Sequence, residues 1–132
     1  MIRGIFEQVL PIAEKFIRRG WYIMFAPDSY EFITSDMPAF VAKRMPNGVI
    51  HFSFGGFGRL DSEIVFPMAK DVCIMISGPE YFQKAGVVTP ETVDIINRMV
   101  SSRPNIQYLI SAQRSLVERY SRYLTSPPQT QE

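Results

Sequence analysis

The sequence is short of the residue types on which catalysis most often leans. Among 132 residues there is one histidine, His51, one cysteine, Cys73, and one tryptophan, Trp21. A single cysteine excludes an internal disulfide, and one histidine with one cysteine cannot supply a zinc ligand set. A serine nucleophile would have to recruit His51 as its base, yet His51 lies mid-run in the alternating stretch VIHFSF. Cys73 sits inside VCIMI and reads as a small buried hydrophobe rather than a reactive thiol. An excess of either charge is lacking too. Fourteen Lys and Arg face thirteen Asp and Glu, a formal net charge of +1. That balance excludes a nucleic-acid coat or a polyanionic surface spread over the whole molecule. No charge-free apolar run reaches the ~18 residues of a membrane span. Glu7, Glu14 and Lys15 interrupt any signal-peptide core in MIRGIFEQVLPIAEKF. A soluble chain in a reducing cytoplasm is the expectation, with no membrane partner, no cofactor and no metal.

What is abundant is apolar and aromatic. Hydrophobic residues make up 46%, with ten Phe and six Tyr, so the chain must bury a core and is long enough to do so. One domain over residues 1–124 is expected, with a flexible tail, TSPPQTQE, over 125–132. Ile2, Ile5, Phe6, Val9, Ala13, Phe16 and Ile17 recur at helical spacing and predict an N-terminal helix to Arg19. Pro11 kinks or restarts it, Lys15, Arg18 and Arg19 suit its last turn, and Gly20 suits the position just past its end.

Strand signals follow. WYIMFA (21–26) ends in the turn cluster Pro27-Asp28-Ser29 and pairs by expectation with EFITS (31–35). AFVAKRM, Pro46-Asn47-Gly48 and VIHFSF spell the clearest hairpin. EIVF and VCIMIS make another strand pair, joined through Pro67 to Asp71. Thr89-Pro90-Glu91 is a helix start: a hydroxyl cap, proline in the first turn and an acid at the positive end. That helix buries Val93, Ile96, Met99 and Val100 and ends at Pro104. IQYLIS (106–111) is a last strand, and Leu116, Val117, Tyr120, Tyr123 and Leu124 mark a last helix. The fold class is α+β: a mostly antiparallel sheet of about five to seven strands packed in two layers against three helices (N-terminal, 90–103 and 112–124).

Four groups of residues invite a chemical reading. Ser35 and Asp36, in FITSDMP, are adjacent, and neighbours in a strand point to opposite faces, so they make no nucleophile–base pair. Asp36 suits an Asx-type turn that accepts backbone N–H groups before Met37-Pro38. Asp36, Asp61 and Glu63 form an alternative carboxylate site for a hydrolase- or nuclease-like enzyme or its remnant, if the turns that carry them crowd one sheet edge. GGFGR (55–59) lacks the Lys-Ser/Thr of a phosphate loop and runs from strand to strand, but Phe57 and Arg59 suit a contact hot spot. From Ile95 to Leu124, five arginines (98, 103, 114, 119, 122) face Glu118 alone, with Tyr108, Tyr120 and Tyr123 interleaved. Arg114, Arg119 and Arg122 suit phosphate or partner contact. The plainer account is a solvated face, with Glu118 paired to Arg122 one turn on.

The order of WYIMFAP, FITSDMP, GGFGRLDSEIVFPMAKDVCIMI and VDIINRMVSSRPNIQYLIS resembles the C-terminal part of the domain of unknown function 4238 family, mostly bacterial proteins with no established activity. Trp21, Thr34, Ser35, Asp36, Pro38, Glu63, Phe66, Pro67, Asn97 and Tyr108 fall on matching positions over most of residues 20–111. Met37 stands where the family has Asn, and Ala69-Lys70 replaces Ser-Pro; the family's His-rich opening motif has no counterpart. The resemblance implies a fold and leaves activity open. The expected function is a small non-enzymatic binding or regulatory module acting through protein contact, with a microbial or phage-encoded inhibitor as one form of it. The carboxylate enzyme and nucleic-acid binding by the Arg-rich C-terminal helix are its rivals.

Overall fold

The computed structural model describes residues 17–44, 50–53, 62–103 and 106–124. The expected N-terminal helix, the glycine-rich loop with Phe57, Arg59 and Asp61, and the tail from 125 to 132 lie outside the described residues. Within them the chain is α+β. The strands are β1 (Gly20–Phe25), β2 (Thr34–Ser35), β3 (Phe40–Arg44), β4 (Ile50–Ser53), β5 (Glu63–Ala69), β6 (Val72–Ser77), β7 (Phe82–Val87) and β8 (Leu109–Ile110). Helix α1 (Pro90–Ser102) precedes β8, and helix α2 (Arg114–Ser121) follows it. Six strands form one sheet in the order β4-β3-β5-β6-β1-β7, and β2 pairs with β8 in a second. Against the expectation of five to seven strands in one sheet and three helices, the described residues hold eight strands in two sheets and two helices.

Two hairpins form where turn chemistry marks them. In β3–β4, Val41 faces Ser53 and Lys43 faces His51, which places the histidine mid-strand as expected. In β5–β6, Ile64 faces Ile76 and Pro67 faces Cys73, with a register shift before Ala69. Pro67 therefore lies inside the strand rather than in the connection. It is tolerated because β3 pairs with β5 only as far as Val65 and needs no N–H from Pro67.

The hairpin expected from 21–26 and 31–35 does not form. Strand β1 is taken by β6 on one side, antiparallel, and by β7 on the other, parallel. Strand β7 has no counterpart in the expectations, because Gln83, Lys84 and Gly86 break any alternating apolar pattern. Gly20 serves it in an unforeseen way. Gly20 is the first residue of β1, and a Cβ there would lie 1.9 Å from the Phe82 ring. Glycine at that position is what lets Phe82 of β7 lie against β1.

The core lies between the six-stranded sheet and the helices. Met24, Phe40, Ala42, Val65 and Cys73 pack against Val93, Ile96 and Val100 of α1 and Tyr120 of α2. Each such aliphatic or aromatic side chain contributes about 1.5–3 kcal/mol by leaving water. Cys73 is fully buried, and burial pushes its thiol up to about 12, which keeps it protonated and inert. On the opposite sheet face Val41, Ile64 and Ile76 form a second buried cluster with Trp21 and Ile74 at its border. Helix α1 starts as its residues dictate. Thr89 Oγ1 accepts from the Thr92 N–H at 3.2 Å, Pro90 is the first helical residue and Glu91 faces the positive end.

Candidate functional site

Two polar assemblies flank this core, one turned inward and one outward. The inward one is built around FITSDMP. The stretch from 31 to 33 precedes a strand but lacks the hairpin partner it was expected to have, and a side chain of α1 takes the vacant role. Asn97 Oδ1 accepts from the Ile33 N–H at 3.0 Å, and its Nδ2 donates to the Glu31 carbonyl at 3.0 Å. An amide side chain presents one donor and one acceptor side by side, as a neighbouring strand would. Asn97 is 1% exposed, and Ser101 Oγ bonds its carbonyl at 2.8 Å one turn on.

Arg103, the residue after α1, completes the assembly. Its Nη2 donates to Ser35 Oγ at 2.9 Å and to the Met37 carbonyl. Its guanidinium lies 4.2 Å from the centre of the Phe40 ring. Burial draws its pKa down to about 10, while the nearby Asp36 carboxylate works in the opposite direction. Ser35 Oγ also accepts from the Met37 N–H at 3.1 Å, so the local turn belongs to the serine. Asp36 does accept backbone N–H groups, but from a distant segment. Its Oδ1 takes Gln107 and Tyr108, each at 3.2 Å, across the β2–β8 pairing. The carboxylate is thus a clasp between two strands 71 residues apart rather than an Asx turn.

Glu63 belongs to a different network. It accepts from Ser77 Oγ at 3.4 Å and acts electrostatically on Arg19. Arg19, expected in the last turn of the N-terminal helix, is 2% exposed and donates to the carbonyls of Gly78 and Ser62. Desolvation lowers its pKa. Asp36 and Glu63 are thus each engaged with their own arginine, and Asp61 lies outside the described residues. Among the described residues no group of three or more His, Cys, Asp or Glu could hold a metal ion. No described helix is long and apolar enough to cross a membrane.

The outward assembly joins α1 to α2. Asp94 on α1 accepts from Tyr120 Oη at 2.8 Å, pairs with Arg98 Nε at 3.0 Å and lies 3.9 Å from Arg119 Nη2. Burial raises the Tyr120 phenol, and its bond to Asp94 adds to that rise. Around this point the arginines stack on tyrosines. Arg98 and Arg122 lie 5.4 and 4.9 Å from the Tyr123 ring centre, and Arg119 lies 5.5 Å from that of Tyr120. Arg122 also donates to Tyr123 Oη at 2.9 Å. The expected Glu118–Arg122 pair is replaced by Glu118 with Arg114, at 3.4 Å and well exposed. Arg114 is thereby paired with an acid of its own helix, whereas Arg119, also paired with Asp94 of α1, and Arg122 hold their guanidinium groups over aromatic rings.

Beside this face opens a cleft of about 300 Å³, bordered by Tyr30, Glu31, Asp94, Asn97, Arg119 and Tyr120. Ser29, the one described non-glycine residue with a positive φ (72°), turns the chain into its rim. Glu31 Oε1 is buried there and has no hydrogen-bond partner among the described residues. A second recess of about 240 Å³, between Pro67–Lys70 and Ile110–Ala112, is mainly apolar, with Thr34, Lys70 and Ser111 among its lining residues.

A model of the family described as "Protein of unknown function (DUF4238)" matches residues 3–115. The chain belongs to that family. No curated protein and no solved structure matches it. The match extends past the stretch on which the resemblance was read, into the first residues of the chain. Several residues that carry the family likeness meet in the inward assembly: Ser35, Asp36 and Asn97 all bond there, and Tyr108 supplies a backbone partner. The sequence does not mark Arg103 and Arg19 as buried anchors, nor Asp94 as the acid that joins α1 to α2. The available signals were Asn97 on the apolar face of α1, and Arg103 placed between that helix and Pro104.

Proposed function

We propose that the chain is a non-enzymatic binding module whose contact surface is the Arg–Tyr face of α1 and α2. The observation that supports this reading is the presentation of Arg119 and Arg122. Both are exposed, and both are held over tyrosine rings. Arginine and tyrosine are the residues most enriched where protein interfaces concentrate their energy, and stacking holds the guanidinium in place before a partner arrives. A partner surface rich in carboxylates is the chemistry this face fits, and regulation or inhibition of that partner is the role such a module would have.

The test is capture from a lysate of the source cell with the immobilised chain, followed by the double substitution Arg119→Glu/Arg122→Glu. The proposal expects a partner at fixed stoichiometry that survives nuclease treatment and is lost from the double variant. It expects Arg114→Glu to retain that partner, because Arg114 is turned to Glu118. Retention by the double variant would sink the proposal. Loss of the captured material on nuclease treatment would transfer the face to nucleic acid, whose binding should weaken steeply with salt.

A further inference from the structure

The edge of the six-stranded sheet carries an inference that the binding face does not. Strand β7 pairs only with β1 among the described residues, and five of its six residues are exposed. Val87 is 69% exposed and the preceding Tyr81 62%. The Val88 N–H donates to the Phe25 carbonyl. Backbone groups alternate along a strand, so those of Phe82, Lys84 and Gly86 also face β1. Those of Gln83, Ala85 and Val87 face away from β1: three donors and three acceptors that no other described strand takes up. Native proteins protect such edges with proline, bulges or several charges. Strand β7 has neither proline nor bulge and carries one charge, Lys84, whose Nζ lies 5.5 Å over the ring of its own Phe82.

We propose that β7 pairs antiparallel with the β7 of a second copy of this chain, with the two-fold axis at Ala85. The register follows from the strand itself. Outward residues must oppose outward residues, so the axis can pass through Lys84, Ala85 or Gly86. An axis at Lys84 sets two ammonium groups directly opposite in a close pair, which is repulsive. An axis at Gly86 leaves Gln83 without an outward-facing residue of β7 opposite. The axis at Ala85 sets Gln83 against Val87, Lys84 against Gly86 and Phe82 against Val88, and it uses all six outward groups. It joins two six-stranded sheets into one of twelve. The contact is small, so the association is concentration-dependent, with half-dimerisation in the range of tens of micromolar, roughly what interfaces at the low end of the size range give.

Analytical ultracentrifugation of the full chain, from about 5 to about 500 μM, reads this directly. The wild type should pass from monomer to dimer across that range. Ala85→Lys places like charges at the axis on an exposed residue and should keep the chain monomeric with an unchanged circular dichroism spectrum. Ala85→Pro removes an outward N–H that makes no bond to β1 and should do the same. Ala85→Cys should form a disulfide-linked dimer on oxidation, and Gln83→Cys should not; buried Cys73 does not compete. A wild type that stays monomeric throughout, including one that takes up another protein's strand instead, overturns the proposal. So does a dimer that survives both Ala85→Lys and Ala85→Pro.

Discussion

Arg103 and Arg122 make the same pair of contacts in opposite settings. Each guanidinium lies over an aromatic ring, Phe40 or Tyr123, and each donates a hydrogen bond to a hydroxyl, Ser35 or Tyr123. Arg103 is 5% exposed and Arg122 is exposed. On the proposed reading, that one difference sets the role. A buried guanidinium must satisfy its N–H groups within the fold, so Arg103 binds β2 to the end of α1. An exposed guanidinium can trade water for a partner, so Arg122 has donors to offer. Contact type alone does not separate a structural arginine from a binding one; burial does.

The comparison breaks most visibly at Arg103. Arg103→Ala should cost about 3 kcal/mol in urea unfolding, since it removes a buried side chain that ties the end of α1 to Ser35 and Met37 and packs on the Phe40 ring. Asn97→Ala should cost about 2–3 kcal/mol, because the Ile33 N–H and the Glu31 carbonyl lose their partner. A loss below roughly 0.5 kcal/mol for either would show that the inward assembly is not structural.

Titration sharpens the contrast on the core side. The Cys73 thiol holds its proton up to about 12 when folded and releases it near 9.0 when unfolded. Between those values the folded state binds more protons, so stability falls as pH rises, by up to about 1.4 kcal/mol per pH unit, and is unaffected below 9. Tyr120, raised above 10.0, adds a fall of the same sign above that pH. Cys73→Ala should flatten the first part of the fall, as followed by urea unfolding between about pH 8 and about pH 10, one unit to either side of the unfolded thiol's 9.0. Asp36→Asn should cost only about 1 kcal/mol, since the amide oxygen can still accept from Gln107 and Tyr108. The smallest effect on stability belongs to Arg119→Glu/Arg122→Glu, within about 0.5 kcal/mol, because exposed pairs and stacks contribute little.

Much of the fold was legible where the signal is local. The Pro46-Asn47-Gly48 turn announced β3–β4, and Thr89-Pro90-Glu91 announced α1. Pairing across long separations was not legible. EFITS looked like the partner of WYIMFA because it is next in the chain. Its actual partners are Lys70, whose carbonyl accepts from the Phe32 N–H, and, more than 60 residues away, Asn97 and β8. Strand β7 escaped notice because an edge strand needs no apolar alternation. By sequence Arg19 suits the last turn of a helix and Arg103 a solvated arginine-rich face, and only the fold reveals which carbonyls surround them. Asp36 was read correctly as an acceptor of backbone N–H groups and wrongly as to whose.

The most direct test is a calorimetric titration of the captured partner into two variants side by side, Asp36→Asn and Arg119→Glu/Arg122→Glu. The account predicts that Asp36→Asn binds as the wild type does and that the double variant loses at least about tenfold in affinity, some 1.4 kcal/mol. The reverse pattern, with binding lost at Asp36 and kept at the arginines, would contradict it.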